Sequence, residues 1–346
     1  MTDQLEPIDP HDAVELYLQK RQDEVADTTY RSQKSRLKKF AQWCDRNDIA
    51  DLNDLTGRTI HEYTIHLRNY FEDGGHDNSD GKPSPMTMQT RLSTLRVFLR
   101  FCEDIDAIRE GLADKVTLPD VTRDDRRRDV HLHAEDAEHL LEQLNDYRYG
   151  RKEHVMFLLA WRTACRLGTL RALDVDDLDA ENNRLSVVHR PATDTPLKNK
   201  KRGERVIALR DGVVSAIERY IDLHRTPVTD KHGRDPLFTT PNGRPVKDTL
   251  RGWLYKAQLP CYHSNDCPHG TNQQECDLWT DGNRKDCPST VRPHDIRRGA
   301  VTKFLGDDVP ETAVSDRADM SKQVLDEHYD KRSPEQKSEQ RRQYFD

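Results

Sequence analysis

The sequence predicts a mainly α-helical protein with a small β-sheet, divided into a helical amino-terminal domain and an α-rich mixed carboxy-terminal domain. Four segments between residues 11 and 115 repeat apolar residues at three- and four-residue steps, the period of an amphipathic helix. The stretch VTLPDVTRDDRRRDVHLH (116–133) has no such period and carries Pro119 with a run of arginines, which marks a linker. Two β-rich runs, RLSVVHR (184–190) and RVIALR (205–210), flank a basic connection and predict a hairpin. A length of 346 residues fits two domains at roughly 100–200 residues each.

The first domain, 1–115, contains DAVELYLQKRQDEV, TTYRSQKSRLKKFAQWCDRND, LTGRTIHEYTIHLRNYF and MTMQTRLSTLRVFLRFCEDI, each read as one helix. In the second of these, Tyr30, Leu37, Phe40, Ala41 and Cys44 form one apolar stripe with Arg31, Lys34 and Lys38 beside it. Thr28 or Thr29 is placed to cap its start. EDGGHDNSDGKPSP (72–85) reads as a loop because of its Gly, Pro, Asp and Asn content. After the 116–133 linker, the second domain (134–346) opens with helices at 134–144 and 154–164 and a short helix after Leu167. The hairpin follows, then an amphipathic helix over 212–225. No internal repeat is evident.

Hydrophobic residues make up 34% of the chain and charged residues another 34%, and the longest apolar run is Val155–Trp161. A transmembrane helix, which needs ~20 apolar residues, is excluded. The start MTDQLEPIDP has neither a basic region nor an apolar core, so no secretory signal is read and a cytoplasmic location is expected. The 55 Lys and Arg against 62 Asp and Glu give a formal charge of -7, which argues on average against nucleic acid as a partner. Basic residues are nonetheless bunched in RSQKSRLKK (31–39), RDDRRR (123–128), LKNKKRGER (197–205) and RRGAVTK (297–303), so an acidic body carries the material for a basic binding face; a solvated surface is the ordinary reading of any one run. An acidic surface also suits a cell of high internal salt, where charges are screened within a few Å.

Three stretches carry chemistry. In TACRLGTLRALDVDDLD (163–179), Arg166 stands where an apolar helix breaks at Gly168, and Asp176 and Asp177 are a pairing that would hold a guanidinium. In RPHDIRRG (292–299), His294 and Arg297 lie three apart, so at a helix amino terminus begun by Pro293 both project toward one anion. In VLDEHYDKRS (324–333), Tyr329 follows a helix amid charge. Each alone has an ordinary explanation: an ion-paired arginine, a chance spacing, a structural tyrosine.

Their order and spacing do not. Arg166, a lysine-bearing hairpin, His294, Arg297 and then Tyr329, 32 residues after Arg297, closely resemble the tyrosine recombinase family, also called phage integrases. The phrases T-x-x-R-x-G-T-L-x-A-L-x-x-x-D and P-H-D-I-R-R carry the resemblance, and the helical first domain is similar to the family's SAM-like core-binding domain. The resemblance implies a DNA-breaking and rejoining enzyme in which the two domains encircle double-stranded DNA. Breaking a phosphodiester without metal needs a nucleophile, cations for the charge that develops on phosphorus, and a proton donor for the departing 5′-oxygen. By resemblance Tyr329 is the nucleophile of a 3′-phosphotyrosyl bond. Arg166 and Arg297 are forked clamps on the non-bridging oxygens, and His294 is a general acid or base.

The hairpin lysine is Lys198, Lys200 or Lys201. Lys198 is preferred because it matches the family's turn, whereas Lys200 matches by distance from Arg205; it would protonate the leaving oxygen. Where the family carries a second histidine or a tryptophan, VSDRADMS (314–321) has neither, and Arg317 falls nearest. Arginine can donate to a phosphate but cannot act as a base. Tyr344 is a second candidate nucleophile beyond the matching segment. The resemblance further implies a homotetramer on two synapsed sites, with no catalytic metal and no ATP, since the covalent bond conserves the phosphoester energy.

Four of the seven cysteines, Cys261, Cys267, Cys276 and Cys287, fall in a polar insert spanning 259–289, together with His263 and His269. In a reducing cytosol, thiolate coordination of a structural zinc is the expected reading, with either histidine able to replace one cysteine and free thiols as the alternative. A metal would supply folding energy that so polar a segment lacks. Cys44, Cys102 and Cys165 lie in apolar helical contexts and read as core. The rival functional class is a zinc-containing DNA-binding protein with this fold and no catalysis, which Arg317 in place of histidine would favour.

Overall fold

The computed structural model describes residues 5–69, 82–122, 130–263, 267–271, 273–280, 282–329, 338 and 342. Most of the loop expected at 72–85, the arginines of RDDRRR, the tail beyond Tyr329 and Tyr344 lie outside or almost wholly outside these residues. The chain forms two compact units, 1–128 and 129–346.

The first unit is helical. α1 (Pro10–Arg21) begins where the Asp9 carboxylate accepts from the backbone N–H groups of His11 and Asp12, with Pro10 in the first turn. α2 (Asp27–Arg46), α3 (Gly57–Asn69) and α4 (Pro85–Asp104) follow. Neither Thr28 nor Thr29 caps α2: Ala26 takes that position without a side-chain bond, and both threonines sit in the first turn. Leu37, Phe40, Ala41 and Cys44 are buried as the apolar stripe requires, and Phe40 meets Tyr63 and Phe98 edge to face at 5.0 and 6.0 Å between centroids. Val116 is fully buried in this core with Leu118 packed on it, so the first residues of the stretch read as linker are part of the unit.

The second unit is mixed. α5 (Ala134–Arg148) and α6 (Lys152–Thr163) pack together, and α7 (Leu167–Ala172) follows at once. A three-stranded antiparallel sheet, β1 (Leu178–Asp179), β2 (Arg184–Val187) and β3 (Arg205–Ala208), is ordered β1-β2-β3. Leu185 faces Ile207 across β2 and β3, and both are buried together with Val187, the alternation that fixes register. β1 is two residues long, too short to show a period. α8 (Asp211–Leu223), α9 (Lys247–Ala257), α10 (Pro260–His263) and α11 (Asp277–Thr280) lead to α12 (Pro293–Gly306), α13 (Glu311–Ala318) and α14 (Lys322–His328). This is the mainly α architecture with a small sheet that the sequence predicts.

Two contacts seat α6, one against α5 and one against α12. Trp161 is fully buried, its indole N–H donating to Glu138 at 3.0 Å, while Arg162 forks onto both oxygens of the same carboxylate. At Gly299 a Cβ would stand 2.0 Å from the Leu132 carbonyl oxygen and 3.0 Å from Trp161, so the absence of a side chain lets α12 lie against the segment leading into α5.

His154 in α6 is fully buried; its Nδ1 accepts from the Gly150 N–H at 3.1 Å, and its Nε2 has no partner among the described residues. Burial pushes its pKa down to about 4 from 6.5. Between those values only the unfolded chain takes up the proton, so this contribution to stability is complete above pH 6.5 and is lost as pH falls toward 4. The melting temperature is expected to decline over that window, and less steeply in His154→Asn, whose amide oxygen can still accept from Gly150. An equal decline in the variant would refute the assignment.

Candidate active site

The second unit brings Arg166, His294, Arg297 and Tyr329 from three separate stretches of sequence to one place. The first stretch is shaped by the end of α6. The Thr163 hydroxyl donates to the Leu159 carbonyl at 2.6 Å and accepts from the Cys165 N–H at 3.2 Å, and Ala164 turns left-handed at φ 50°. The helix therefore breaks at Ala164, not at Gly168, which lies within α7. Arg166 becomes the residue that caps α7, its carbonyl accepting from Thr169 and Leu170.

α12 supplies the second stretch. Pro293 opens it, and His294 and Arg297 follow one turn apart. Arg297 is 3% exposed; it donates through Nη1 to the Ala164 carbonyl at 2.5 Å, and its Nε has no partner among the described residues. Burial and then the charge of Arg166 push the Arg297 pKa below its ordinary value, so the two guanidinium groups sense each other. His294 keeps access to solvent, yet partial desolvation, followed by Arg297 and Arg298, lowers its pKa from 6.5 against the opposing pull of Asp295. The shift favours the neutral imidazole.

Tyr329 ends α14, 5% exposed in the core of the unit. Its hydroxyl oxygen lies 3.4 Å from His294 Nε2, and the Arg298 guanidinium stands over its ring at 5.8 Å. A phenol, an imidazole able to take its proton, and a buried cation with a spare donor are thus in one place.

Several expectations are corrected. Asp176 and Asp177 do not hold Arg166. Asp177 closes a capping box with Asp174 and pairs with Arg190 at 2.5 Å, while Arg166 is held by Asp319: Nη1 donates to the carboxylate at 2.5 Å and Nη2 to the backbone carbonyl at 2.7 Å. Arg317 donates to the Arg162 carbonyl at 2.9 and 3.1 Å and to the Ala208 carbonyl at 3.1 Å, and lies over the Phe304 ring. Those bonds tie the end of α6 to β3. Lys198, Lys200 and Lys201 are all exposed on the loop before β3, where Lys200 adopts a left-handed conformation and Asn199 donates to Asp319 at 2.8 Å.

In the insert, Cys261 and Cys287 are buried in one small apolar cluster against which Cys267 packs. Burial, then Cys267 and Cys287, push the Cys261 thiol up. Among the described residues no group of three or more His, Cys, Asp or Glu has a metal-binding arrangement. His263 donates through Nε2 to the Ala257 carbonyl at 2.7 Å, and His269 lies 2.8 Å from the Ser289 hydroxyl. In the first unit, Ser32, Arg36, Lys39, Thr87, Thr90 and Arg91 line a groove of about 380 Å³ between α2, α3 and α4.

The sequence pattern of the phage integrase family matches residues 131–329, and that of the phage integrase SAM-like domain matches 11–122. The chain belongs to the phage integrase family. The stretch 163–179 and the residues 292–329 that carry the resemblance lie inside the matched region. Tyrosine recombinase XerC 2 of Ralstonia nicotianae is 24% identical over 222 residues, 63% of this chain and 58% of that protein, so the match spans little more than half of this relative. Tyrosine recombinase XerD of Staphylococcus haemolyticus is 23% identical over 314 residues, 89% of this chain and 90% of the relative. The fold is shared with the Tn1549 transposon integrase in complex with transposon right end DNA (TM-score 0.63, 16% identity, 98% of this chain and 100% of that one). It is also shared with a lambda integrase dimer bound to a COC' core site (TM-score 0.57, 11% identity, 98% and 78%). No described helix is long and apolar enough to cross a membrane.

Sequence reasoning missed Asp319, which lies 153 positions from Arg166, and the group centred on Asp174. That buried carboxylate pairs with Arg234 at 2.5 Å and with Arg244, and Arg234 also donates to Thr193 and Thr195, anchoring the loop that carries the lysines. Neither has a local signature. If Arg317 is framework, Arg317→Ala should cost on the order of 2 kcal/mol, hydrogen bonds from a charged group being worth more than neutral ones, and lower the melting temperature by roughly 4–8 °C. An unchanged melting temperature with lost reactivity toward DNA would return Arg317 to the chemistry.

Proposed function

We propose that this protein is a site-specific recombinase that cleaves and rejoins double-stranded DNA through a 3′-phosphotyrosyl intermediate formed by Tyr329. The observation that carries the reading is the Tyr329 hydroxyl 3.4 Å from His294 Nε2, beside a buried Arg297 whose Nε is unpartnered among the described residues. His294 takes the phenolic proton as the oxygen attacks phosphorus. Arg166 and Arg297 hold the non-bridging oxygens as charge builds on them. The bond from phosphorus to the 5′-oxygen breaks, and a proton from a hairpin lysine, Lys198 in the reading preferred here, completes a 5′-hydroxyl. Attack of a 5′-hydroxyl on the phosphotyrosine reverses these steps and returns the proton to Tyr329. No ATP enters the balance.

DNA enters the proposal through the family and the grooved first unit, where Arg36, Lys39 and Arg91 stand among serine and threonine hydroxyls. A homotetramer on two synapsed sites and a cytoplasmic location belong to the same reading and rest on the family resemblance. Zinc held by Cys261, Cys267, Cys276 and Cys287 is likewise proposed from the donor chemistry and the packing of three of these side chains in one cluster. It would brace the chain before α12 and take no part in the reaction.

The reading is tested with duplex DNA nicked next to the cleavage site, which traps covalent protein. Wild-type protein is expected to form an adduct that Tyr329→Phe does not form while still binding the DNA. DNA binding without an adduct in the wild type would favour a binding protein. For zinc, elemental analysis should find one equivalent of metal per chain, and chelation or Cys276→Ser should lower the melting temperature; metal-free protein of unchanged stability would end that proposal.

A further inference from the structure

The contact that most needs a function is one between three distant segments. Asp319 follows α13 in a left-handed conformation, φ 52°, with its side chain 11% exposed. One carboxylate oxygen accepts from Arg166 Nη1, the other accepts from the Asn199 amide at 2.8 Å, and its backbone carbonyl accepts from Arg166 Nη2 at 2.7 Å. A Cβ at Gly203 would stand 3.2 Å from the carboxylate, so glycine there leaves it room. A single acidic residue therefore joins the guanidinium of α7, the lysine-bearing loop and the end of α13. All of its side-chain acceptor atoms are engaged.

We propose that Asp319 is a positioning residue for the strand-transfer reaction: it orients Arg166 toward the phosphate and holds the 198–203 loop in register with it. The inference rests on the Tyr329 reading given above. Two guanidinium groups close together repel, and without a phosphate between them nothing in the pair itself keeps both in place. The largely buried Asp319 carboxylate beside Arg166 offsets that repulsion. The carboxylate takes one N–H of Nη1 and the Asp319 carbonyl one of Nη2, which leaves the remaining donors of the fork for a phosphate. Bonding Asn199 through its second oxygen, it ties the neighbouring lysines to the same anchor. Both the clamp and the proton donor are then arranged before DNA arrives, which is what lowers the cost of reaching the transition state.

The test is single-turnover trapping on nicked duplex at saturating DNA. Asp319→Ala should slow adduct formation on the order of 10²-fold, the penalty of a misplaced catalytic group, with DNA affinity close to wild type and a lowered melting temperature, since Arg166 loses its carboxylate partner. Asp319→Asn, which keeps an acceptor for Arg166, should recover part of the rate. In the Arg166→Ala background, Asp319→Ala should cost much less than in the wild type, because the part of its effect that passes through Arg166 is already gone and only the hold on the 198–203 loop remains. A full additional loss there, or a wild-type rate in Asp319→Ala, would overturn the proposal, and a faster rate would show a competitor of the phosphate instead. Hydrogen exchange over 198–204 should also quicken in Asp319→Ala. Unchanged exchange refutes the positioning role whatever the trapping assay shows, whereas the wild-type adduct alone judges the nucleophile.

Discussion

The second unit is organised around a guanidinium that is almost wholly buried. Arg297 is 3% exposed and its charge would be costly without a partner, so the Ala164 carbonyl that accepts from it determines how α12 meets the end of α6. That carbonyl is presented only because Ala164 is left-handed, a conformation the Thr163 hydroxyl supports by bonding on both sides of the turn. The same turn delivers Arg166 to the start of α7. One local device thus positions two cations from opposite ends of the unit.

Around this joint, carboxylates and carbonyls are shared out among an unusual number of arginines. Asp174 takes Arg234 and Arg244, Asp177 takes Arg190, Glu138 takes Arg162 and Asp319 takes Arg166, while Arg317 uses main-chain oxygens. Most of these partners are half-buried or buried, so each pair is bonded at short range with little screening by solvent. The arrangement explains how an acidic chain carries a cationic centre: negative charge inside the unit goes into orienting arginines.

Much of the fold and part of the site were legible in the sequence for identifiable reasons. The stripe of Leu37, Phe40, Ala41 and Cys44 and the alternation of Leu185 and Val187 are periodic, and periodicity survives in one dimension. His294 and Arg297 share a helix, so their three-residue spacing already states that they lie together. For Arg317, position along the chain said where it stood but not which way it faced; its donors turn to the carbonyls of α6 and β3. The break assigned to Gly168 belonged to Ala164, where a threonine hydroxyl outweighed the usual preference for glycine.

The sequence by itself determined many of the helices and the family, because these depend on local periodicity and on motifs whose residues are neighbours. Tertiary structure decided which acid answers which arginine. Asp176, Asp177 and Asp319 are equal as letters, and proximity along the chain favoured the first two. Only the packing of α13 against α12, which carries Asp319 to Arg166 across 153 positions, chose otherwise. Ionic pairing depends on distance in space, and composition and spacing carry no measure of that between segments so far apart.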